Sequence, residues 1–326
     1  MTIAITGATG HLGRLAIAAL KARGARPVAL ARDPAKAADL GVETRAFDYT
    51  SADPAALKGI DTLVLVSSND FSDRAGQHRK VIAAAKAADL GVETRAFDYT
   101  SADPAALKGV DTLVLISSND FNDRAGQHKK AIAVAKQAGV KRLIYTSILK
   151  GDASPMILAQ DHIATEAAIR DAGIPATILR NGWYTENYTG ALGAAVQHGA
   201  IIGAAGEGKV NSAARKDYAE AIAVTALDAA HSGKTYELAG DAAHSGADLA
   251  AAVAKAAGKP VAYVPMSQAD YAKALQGFGL PEGFAQVLAD SDAQAGHGAL
   301  ADDSRTLSRL IGRPTTPIAE TIAAAL

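Results

Sequence analysis

The chain opens on an apolar strand, a glycine-rich turn and a helix, and this order constrains its fold more than any other feature. Residues 2–5 are apolar or β-branched, glycines follow at positions 7, 10 and 13, and residues 12–22 have helical apolar spacing. A G-x-x-G-x-x-G turn lets the backbone approach a pyrophosphate, which then binds N–H groups at the helix N-terminus. The flanking strand and helix favour this interpretation over a glycine turn that binds nothing. The predicted cofactor-binding residues of the turn are Gly7, Thr9, Gly10, His11, Leu12 and Gly13.

A second strand, predicted over residues 27–31, is followed by two cations, Arg32 and Lys36. In dinucleotide-binding folds an acidic residue at this point holds the ribose 2′-hydroxyl of NAD, whereas an arginine accommodates the 2′-phosphate of NADP. We therefore predict that the cofactor is NADPH, with Arg32 on the 2′-phosphate and Lys36 as a second cation. Two solvated surface charges are the alternative.

A near-identical internal repeat dominates the next part of the chain. Residues 36–85 recur as residues 86–135, and the two copies differ at six positions by conservative changes. Two copies are too few for a solenoid or a propeller, so we interpret them as a tandem duplication within one domain. Each copy is predicted to form an edge-like strand, a short helix, an apolar strand and a helix, at residues 42–47, 53–58, 62–66 and 73–85 of the first copy.

Beyond the repeat, strands again alternate with helices. Residues 141–147 and 176–179 have strand patterns on either side of a helix over residues 159–171. This alternation predicts an α/β fold with a doubly wound parallel sheet of the Rossmann type. We expect a Rossmann domain over residues 1–190, containing the repeat, and a smaller α/β cap over residues 191–326 that partly returns to the sheet.

Composition narrows the class of partner. The 33 basic and 34 acidic residues give a formal charge of −1, so no overall field attracts nucleic acid or an anionic membrane. Cysteine is absent, which excludes disulfides, thiolate catalysis and cysteine metal sites. No apolar run reaches the roughly 18 residues of a membrane span, and the first strand directly follows Met1 without a signal sequence. We expect a cytoplasmic protein that binds small molecules, no metal, no nucleic acid and no membrane; a homo-oligomer is left open.

Two segments carry a resemblance to a known family. They are residues 159–166, with the sequence AQDHIATE, and residues 180–188, with the sequence RNGWYTENY. With the glycine turn and Arg32, they make the chain resemble the NmrA-like branch of the atypical short-chain dehydrogenases/reductases, and within it the bacterial type 2 NAD(P)H:quinone oxidoreductases. The resemblance covers the whole chain once one copy of the repeat is removed. It implies hydride transfer from NADPH to a quinone without flavin or metal.

The resemblance also bears on cofactor contacts within the repeat. Asp48 and Asp98 follow the two edge-like strands, where the family contacts adenine, and only one of them can do so in one site. Ser67, Ser117 and Ser118 follow the two apolar strands and are further candidates for contact with the cofactor. The chain departs from the family pattern in its second copy of residues 36–85. This extra segment affects the order of the strands in the sheet and the activity to be expected of the chain.

Asn181 and Gly182 end a strand beside the expected nicotinamide, and we predict that they contact it through the backbone. Short-chain dehydrogenases that reduce carbonyls use a Tyr-x-x-x-Lys pair on the helix after the serine-bearing strand, because an alkoxide needs a proton donor. That helix here offers His162 and Glu166 instead. A quinone needs a proton donor less, because its reduced form is the anion of a hydroquinone with a phenol-like pKa of about 10. This anion is a much weaker base than an alkoxide. The missing pair therefore agrees with a quinone acceptor.

Three residues are candidates for a catalytic role. Ser147 ends its strand and is a candidate donor to a quinone oxygen, Tyr184 is a candidate for stacking on a planar quinone beside Trp183, and His162 is a candidate proton donor. Each has a structural alternative: a serine that ends a strand, aromatic side chains of the core, and a histidine satisfied by its neighbours.

Two other functions stay open. One is an NmrA-like sensor that binds NADP(H) and a protein partner without turnover, and the other is a folded chain whose duplication has abolished activity. An open quinone-sized pocket beside the nicotinamide favours the enzyme, and a filled one favours the sensor.

The duplication leaves two candidate strands for one position in the sheet. Because residues 117–141 keep the parental connection into the next strand, we expect residues 112–116 beside the first strand and Ser117 and Ser118 near the cofactor. Residues 62–66 then lie at an edge or in a partner chain. Insertion of both copies in sequence is disfavoured, since it places Glu93 and Arg95 on an interior strand, where unpaired charges cost several kcal/mol each.

Overall fold

A computed structural model of the chain describes residues 2–9, 11–22, 24–60, 62–64, 80, 81, 84, 97, 99, 101–117 and 123–326. The chain divides into two compact units, Met1–Ala96 and Phe97–Leu326, each with a parallel sheet. In the described ranges, no helix combines the length and the apolar character that crossing a membrane requires. The domain boundary between residues 190 and 191 stays a prediction.

The first unit contains a parallel sheet in the order β3-β2-β1-β4. β1 and β2 are buried along their whole length because both are continuous apolar runs, as is usual for inner strands of a parallel sheet. β3 is more exposed and carries two charged residues. The predicted order of strand, turn and helix at the start of the chain is confirmed. The elements are β1 (Ile3–Ile5), α1 (His11–Ala22), β2 (Val28–Ala31), β3 (Glu43–Ala46) and β4 (Thr62–Val64).

The short helix predicted in each copy of the repeat is present as a 3-10 helix, at Pro54–Leu57 and at Pro104–Leu107. Asp53 and Asp103 cap these helices, and each accepts a hydrogen bond of 2.9 Å from the backbone N–H two residues further on. Proline at the start of each helix has the required φ and lacks only an N–H that would have no helical partner. The same local sequence therefore gives the same local structure twice.

The second unit contains a parallel sheet in the order β5-β6-β7-β9. Every residue of β6 is buried. Helices α2 and α3 connect β5 to β6 and β6 to β7, which are the crossovers that parallel neighbours require. The elements are β5 (Thr112–Leu115), α2 (Arg124–Gln137), β6 (Arg142–Ile148), α3 (Ala159–Ala172), β7 (Ala176–Asn181) and β9 (Thr235–Leu238).

The last third of the chain adds further helices and a two-stranded parallel sheet of β8 (Ala200–Gly203) and β10 (Ala262–Pro265). The glycine- and alanine-rich sequence of this region allows close packing between its elements. Its helices are α4 (Glu186–Thr189), α5 (Leu192–His198), α6 (Arg215–Leu227), α7 (Gly246–Ala257), α8 (Gln268–Gly277), α9 (Glu282–Gly296), α10 (Thr306–Ile311) and α11 (Ile318–Ala323).

The pairing of the two apolar strands of the repeat agrees with the prediction in part: β5 lies beside β6, as the parental connection implies, and β4 is an edge strand, but the neighbour of β1 differs from the one predicted. β1 pairs with β4 of the first copy, with Ile3 opposite Thr62, so the expectation that residues 112–116 lie beside the first strand is wrong. β5 of the second copy pairs with β6, with Thr112 opposite Arg142. Each strand has joined neighbours that are closer in sequence, since shorter connections lose less chain entropy on closure. The predictions on Glu93 and Arg95, and most of the predicted helix at 73–85, lie outside the described residues.

Candidate active site

The predicted glycine turn joins β1 to α1 in the first unit. Gly7 has a φ of +60°, a left-handed conformation that favours glycine. The N–H of Ala8 donates to the carbonyl of Leu30 on β2 at 3.3 Å, and α1 begins directly after the turn. The start of a helix therefore lies at the carboxyl end of β1, where dinucleotide phosphates bind in folds of this kind. Gly10 and the side chains of His11 and Leu12 lie outside the described part of the chain.

Arg14 on α1 braces this turn, and the sequence analysis missed it. Its guanidinium donates to the carbonyl of Thr9 at 3.1 Å and to the carbonyl of Lys36 at 3.0 Å. It also pairs with Asp39 at 2.6 Å, and this hydrogen bond lowers the pKa of Asp39. The glycine turn is thus tied to the segment after β2. The available signal was an arginine directly after the third glycine of the turn.

Arg32 and Lys36 are exposed after the carboxyl end of β2. Between them Asp33 caps the 3-10 helix Pro34–Leu40 by accepting a hydrogen bond of 3.1 Å from the N–H of Ala35. The cap starts the helix that carries Lys36 immediately after the strand. Two cations therefore follow β2 where the ribose of a dinucleotide is expected, and Arg recognises phosphate through bidentate, charge-assisted hydrogen bonds.

Asp48 follows β3 at the same end of the sheet. Its carboxylate accepts hydrogen bonds of 2.8 Å from both the N–H and the hydroxyl of Thr50, and these bonds lower its pKa. The charges of Arg32 and Lys80 lower this pKa further, so Asp48 lies within electrostatic reach of the predicted 2′-phosphate cation. Asp98, its counterpart in the second copy, is outside the described residues, as are Ser67 and Ser118.

Ser117 lies at the carboxyl end of β5 in the second unit. Its N–H donates to the hydroxyl of Thr146 on β6 at 2.9 Å. Its own hydroxyl is buried and lies close enough to the hydroxyl of Tyr145 to influence the pKa of that group. Cofactor contact by Ser117 stays a prediction.

Ser147 belongs to a network of side chains from four elements. Its hydroxyl donates to Oε1 of Glu166 on α3 at 2.6 Å. Glu166 also accepts two hydrogen bonds from Arg180 on β7, at 3.0 and 2.7 Å, and Arg180 pairs with Glu237 on β9 at 2.9 Å. Hydrogen bonds to Glu166 and then to Glu237 hold the pKa of Arg180 above its ordinary value. The proton of the Ser147 hydroxyl is therefore engaged by a carboxylate of the same chain.

Gly151 is needed to accommodate this network. It has a φ of +50°, and a β-carbon at this position would lie 2.1 Å from the guanidinium carbon of Arg180. The guanidinium thus packs directly against the backbone, so any larger residue at position 151 would displace it.

His162 lies on the buried side of α3 and is satisfied by its neighbours. Its Nδ1 is 2.8 Å from the hydroxyl of Tyr145 on β6. Burial lowers the pKa of His162 to about 3, with a further contribution from the charge of Arg124, so the ring is neutral near pH 7. This arrangement corresponds to the structural alternative, and a catalytic role for His162 stays a prediction.

Asn181 and Gly182 lie where β7 ends. The N–H of Gly182 donates to the carbonyl of Leu238 at 2.7 Å, and a β-carbon on Gly182 would lie 3.1 Å from that oxygen. The amide nitrogen of Asn181 donates to the hydroxyl of Tyr184 at 3.2 Å. Its carbonyl oxygen Oδ1 is buried and accepts no hydrogen bond within the described part of the chain. Such an acceptor suits a donor on a ligand, for example the carboxamide of a nicotinamide.

Trp183 and Tyr184 are both half-buried after β7. The ring of Tyr184 meets that of Tyr218 edge to face at 5.1 Å, and the guanidinium of Arg215 lies 5.3 Å from its centroid. Trp183 packs against a core that includes Ile148. Both rings therefore have partners within the protein, and stacking on a quinone stays a prediction.

Parallel strands, a glycine turn before the first helix and cations after the second strand define a dinucleotide-binding α/β protein of the Rossmann type. Residues 1–309 match the model of the NmrA-like family, and the chain belongs to that family.

Three relatives stand out among proteins similar to this chain. Quinone oxidoreductase 2 of Escherichia coli (strain K12) is 44% identical, over 98% of this chain and 97% of that protein. The crystal structure of this NADPH-dependent quinone oxidoreductase complexed with NADPH has a TM-score of 0.67 and covers 98% of both chains. The NAD(P)H azoreductase of Xenophilus azovorans is 33% identical, over 98% of this chain and 96% of that protein. The triphenylmethane reductase of Citrobacter sp., in complex with NADP(H), is 31% identical with a TM-score of 0.65, over 99% of this chain and 100% of that one.

Proposed function

We propose that the chain is an NADPH-dependent quinone reductase that transfers hydride directly to its acceptor without a flavin. The observation that carries the proposal is the 44% identity with an NADPH-dependent quinone oxidoreductase over 98% of both chains. The glycine turn and the cations after β2 support NADPH as the cofactor. When bound, NADPH supplies the hydride.

The first unit supplies the groups that hold the cofactor. The left-handed Gly7 and the start of α1 offer backbone N–H groups to the pyrophosphate, and Arg14 keeps this turn in place. Arg32 and Lys36 bind the 2′-phosphate through charge-assisted hydrogen bonds. Asp48 is the adenine-side residue in this proposal, because it lies within reach of the charge of Arg32.

The second unit lacks a free proton donor at the positions where carbonyl-reducing relatives carry Tyr and Lys, as far as the described residues of α3 show. His162 is neutral and bonded to Tyr145, and Glu166 is saturated by Ser147 and Arg180. A quinone tolerates this arrangement, since two electrons and one proton arrive as hydride and the second proton is taken up from water. The resulting anion is the conjugate base of a hydroquinone with a phenol-like pKa of only about 10, so no obligate acid is needed.

A second candidate acceptor is an azo or triphenylmethane dye. It is favoured by the 33% and 31% identity with a reductase of each kind over almost the full chain. All three acceptor classes are conjugated and largely apolar, so one apolar site suits any of them.

The repeat is part of the proposal. Residues 36–85 and 86–135 are a tandem duplication, which is supported by their six conservative differences and by the matching capped helices.

We place the enzyme in the cytoplasm, which agrees with a cysteine-free chain.

The test is NADPH oxidation by the purified chain with benzoquinone, naphthoquinone, an azo dye and a triphenylmethane dye as acceptors. The same panel is run with a variant that lacks residues 36–85. We expect fastest turnover with a quinone, in the full chain and in the shortened one. Activity in the shortened chain alone would mean that the duplication has abolished function, and NADPH binding without turnover in either would support a sensor.

A further inference from the structure

The second unit contains a cavity of about 590 Å³. It is lined by α5, β8, α7 and α8, and its walls are largely apolar, with Leu192, Ile201, Leu249, Leu275 and Phe278 among them. Small-molecule sites in proteins are cavities of roughly 300–1,000 Å³ with mainly apolar walls and a few placed polar groups. This cavity has the size and the walls of such a site.

Two polar groups converge at one point of the wall. Asp292 on α9 accepts hydrogen bonds from the N–H groups of Ala204 and Ala205, the second at 3.1 Å. The hydroxyl of Tyr263 on β10 is buried; its oxygen lies near the backbone N–H groups of Ala205 and Gly206, and its own O–H meets no acceptor among the residues that the structure describes. A β-carbon at Gly203 would lie 2.8 Å from Oδ2 of Asp292 and 3.0 Å from the Tyr263 oxygen, so both oxygens face this glycine.

The ring of Tyr263 is fixed by its contact with Gly246 at the start of α7. A β-carbon at Gly246 would lie 2.5 Å from ring carbon Cε2 of Tyr263, so only glycine permits this approach. A buried O–H donor without an acceptor is costly. A fixed, unpaired donor at a cavity wall is therefore best explained by an acceptor on a ligand.

Hydrogen bonds connect the cavity to the segment that follows β7. His244 lines the cavity, and its Nε2 lies 2.8 Å from the hydroxyl of Ser212, which in turn lies 3.0 Å from the hydroxyl of Thr185. Thr185 lies shortly after the candidate nicotinamide contact Asn181 in the sequence. Tyr188, which follows Thr185, lines the cavity. The cavity and the end of β7 are thus parts of one hydrogen-bonded region of the second unit.

The charges around the cavity select a neutral ligand. Neither lysine nor arginine occurs among its described lining residues, whereas Asp292 does. A phosphate or a carboxylate would find no cation there and would be repelled by Asp292. A planar neutral ring fits the apolar walls, and an oxygen at its edge fits the hydroxyl of Tyr263.

We infer that this cavity binds the ring of the quinone, with one carbonyl oxygen accepting a hydrogen bond from the hydroxyl of Tyr263. Asp292 accepts a hydrogen bond from a hydroxyl of the hydroquinone product. The inference rests on the proposed function for the identity of its ligand, but binding to the cavity itself requires no NADPH.

The test is calorimetric titration of the full chain, without NADPH, with naphthoquinone and with naphthalene as the matched hydrocarbon. Tyr263→Phe should weaken naphthoquinone binding roughly threefold to tenfold, as expected for one hydrogen bond, and leave naphthalene binding unchanged. Its control is Tyr236→Phe, because the hydroxyl of Tyr236 bonds to His231 at 2.6 Å and does not line the cavity.

Filling the cavity gives an independent readout. Ala195→Trp should abolish naphthoquinone binding, and Ala194→Trp at the exposed side of the wall serves if the buried substitution fails to fold. The control is Ala230→Trp on the exposed surface.

The outcomes separate this inference from the proposed function. Lost binding in the filled variants, without NADPH-dependent turnover in the unmodified chain, would uphold the cavity and overturn quinone reductase activity. Undiminished binding and an unchanged KM for quinone in the filled variants and in Tyr263→Phe would overturn the cavity and leave the activity standing. Absence of naphthoquinone binding by the unmodified chain would also overturn the inference.

Discussion

The two copies of the repeat carry almost the same sequence in different surroundings. Each forms a capped 3-10 helix at the same place, and the rings of Phe47 and Tyr49 meet edge to face at 6.5 Å as those of Phe97 and Tyr99 do at 5.9 Å. Their apolar strands differ in partner, since β4 pairs with β1 whereas β5 pairs with β6. Local sequence therefore decides local structure, and the connections on either side decide which strand becomes the neighbour.

Two of the differences between the copies compensate each other. The first copy buries Val81 and Ala84, and the second copy buries Ala131 and Val134 at the equivalent positions. Residues three apart share one face of a helix, so each face keeps one valine and one alanine. Volume-conserving exchanges are the best tolerated changes in a core, which indicates that each copy packs a core of its own.

The largest expected effect comes from truncating the equivalent core leucine in each copy of the repeat. Leu57 is fully buried and Leu107 is 6% exposed at equivalent positions. Leu57→Ala and Leu107→Ala should each reduce the free energy of unfolding by about 2–5 kcal/mol. Amide hydrogen exchange should become faster mainly in the first unit for Leu57→Ala and mainly in the second unit for Leu107→Ala. If one of the two variants were as stable as the parent, that copy would not form a packed core.

The next effect concerns Arg32, the cation that precedes the repeat. Arg32→Asp should weaken NADPH binding roughly tenfold or more, because charge-assisted hydrogen bonds are worth about 1.5–3 kcal/mol, and should shift the preference toward NADH. Arg26→Asp is the control, since Arg26 is an exposed arginine at the opposite end of β2. Equal dissociation constants for NADPH and NADH in the unmodified chain would remove the basis for assigning Arg32 to the 2′-phosphate.

The second copy also supplies a buried histidine. Burial, and then the charge of Arg124, lowers the pKa of His128 to about 4, against about 6.5 in an unfolded chain. Because the unfolded state takes up the proton first, the second unit should lose stability as the pH falls from about 6.5 toward 4, by up to about 1.4 kcal/mol per unit. Urea unfolding across this range should show a shallower pH dependence for His128→Asn. An identical dependence in both proteins would show that His128 is not held neutral.

The smallest expected effect compares equivalent polar residues of the two copies. Lys36→Ala and Asp48→Ala should each weaken NADPH binding roughly threefold, less than Arg32→Asp, because Lys36 is an exposed second cation beside Arg32 and Asp48 contributes a single hydrogen bond. Lys86→Ala and Asp98→Ala should leave the dissociation constant unchanged, because only the first copy continues from the glycine turn and Arg32. A stronger effect of the second pair would assign the adenine side of the site to the second copy.

Sequence reasoning reached the parts of the fold that local chemistry determines. The glycine turn, the strand before Arg32, the capped short helices and the alternation of strand and helix all follow from nearby residues. The neighbours of β4 and β5 do not, because two near-identical strands carry no local information that distinguishes their partners.

Parts of the site depend on contacts between distant segments. The bond between Tyr145 and His162 and the reach of Arg14 to Lys36 join residues that no short motif links. The cavity beside Tyr263 combines residues from an alanine- and glycine-rich region without a recognisable motif. For this reason sequence reasoning could propose candidate cofactor residues but neither the brace of the turn nor the cavity.

The central claim is that this chain passes hydride from NADPH to a quinone without help from a flavin. The most direct measurement is anaerobic mixing of the flavin-free chain with NADPH and naphthoquinone, following NADPH oxidation and hydroquinone formation together. We predict equal amounts of NADPH consumed and hydroquinone formed, and a slower rate when the transferred hydrogen of NADPH is replaced by deuterium. Bound NADPH that persists beside naphthoquinone, or is oxidised only after a flavin is added, would contradict the claim.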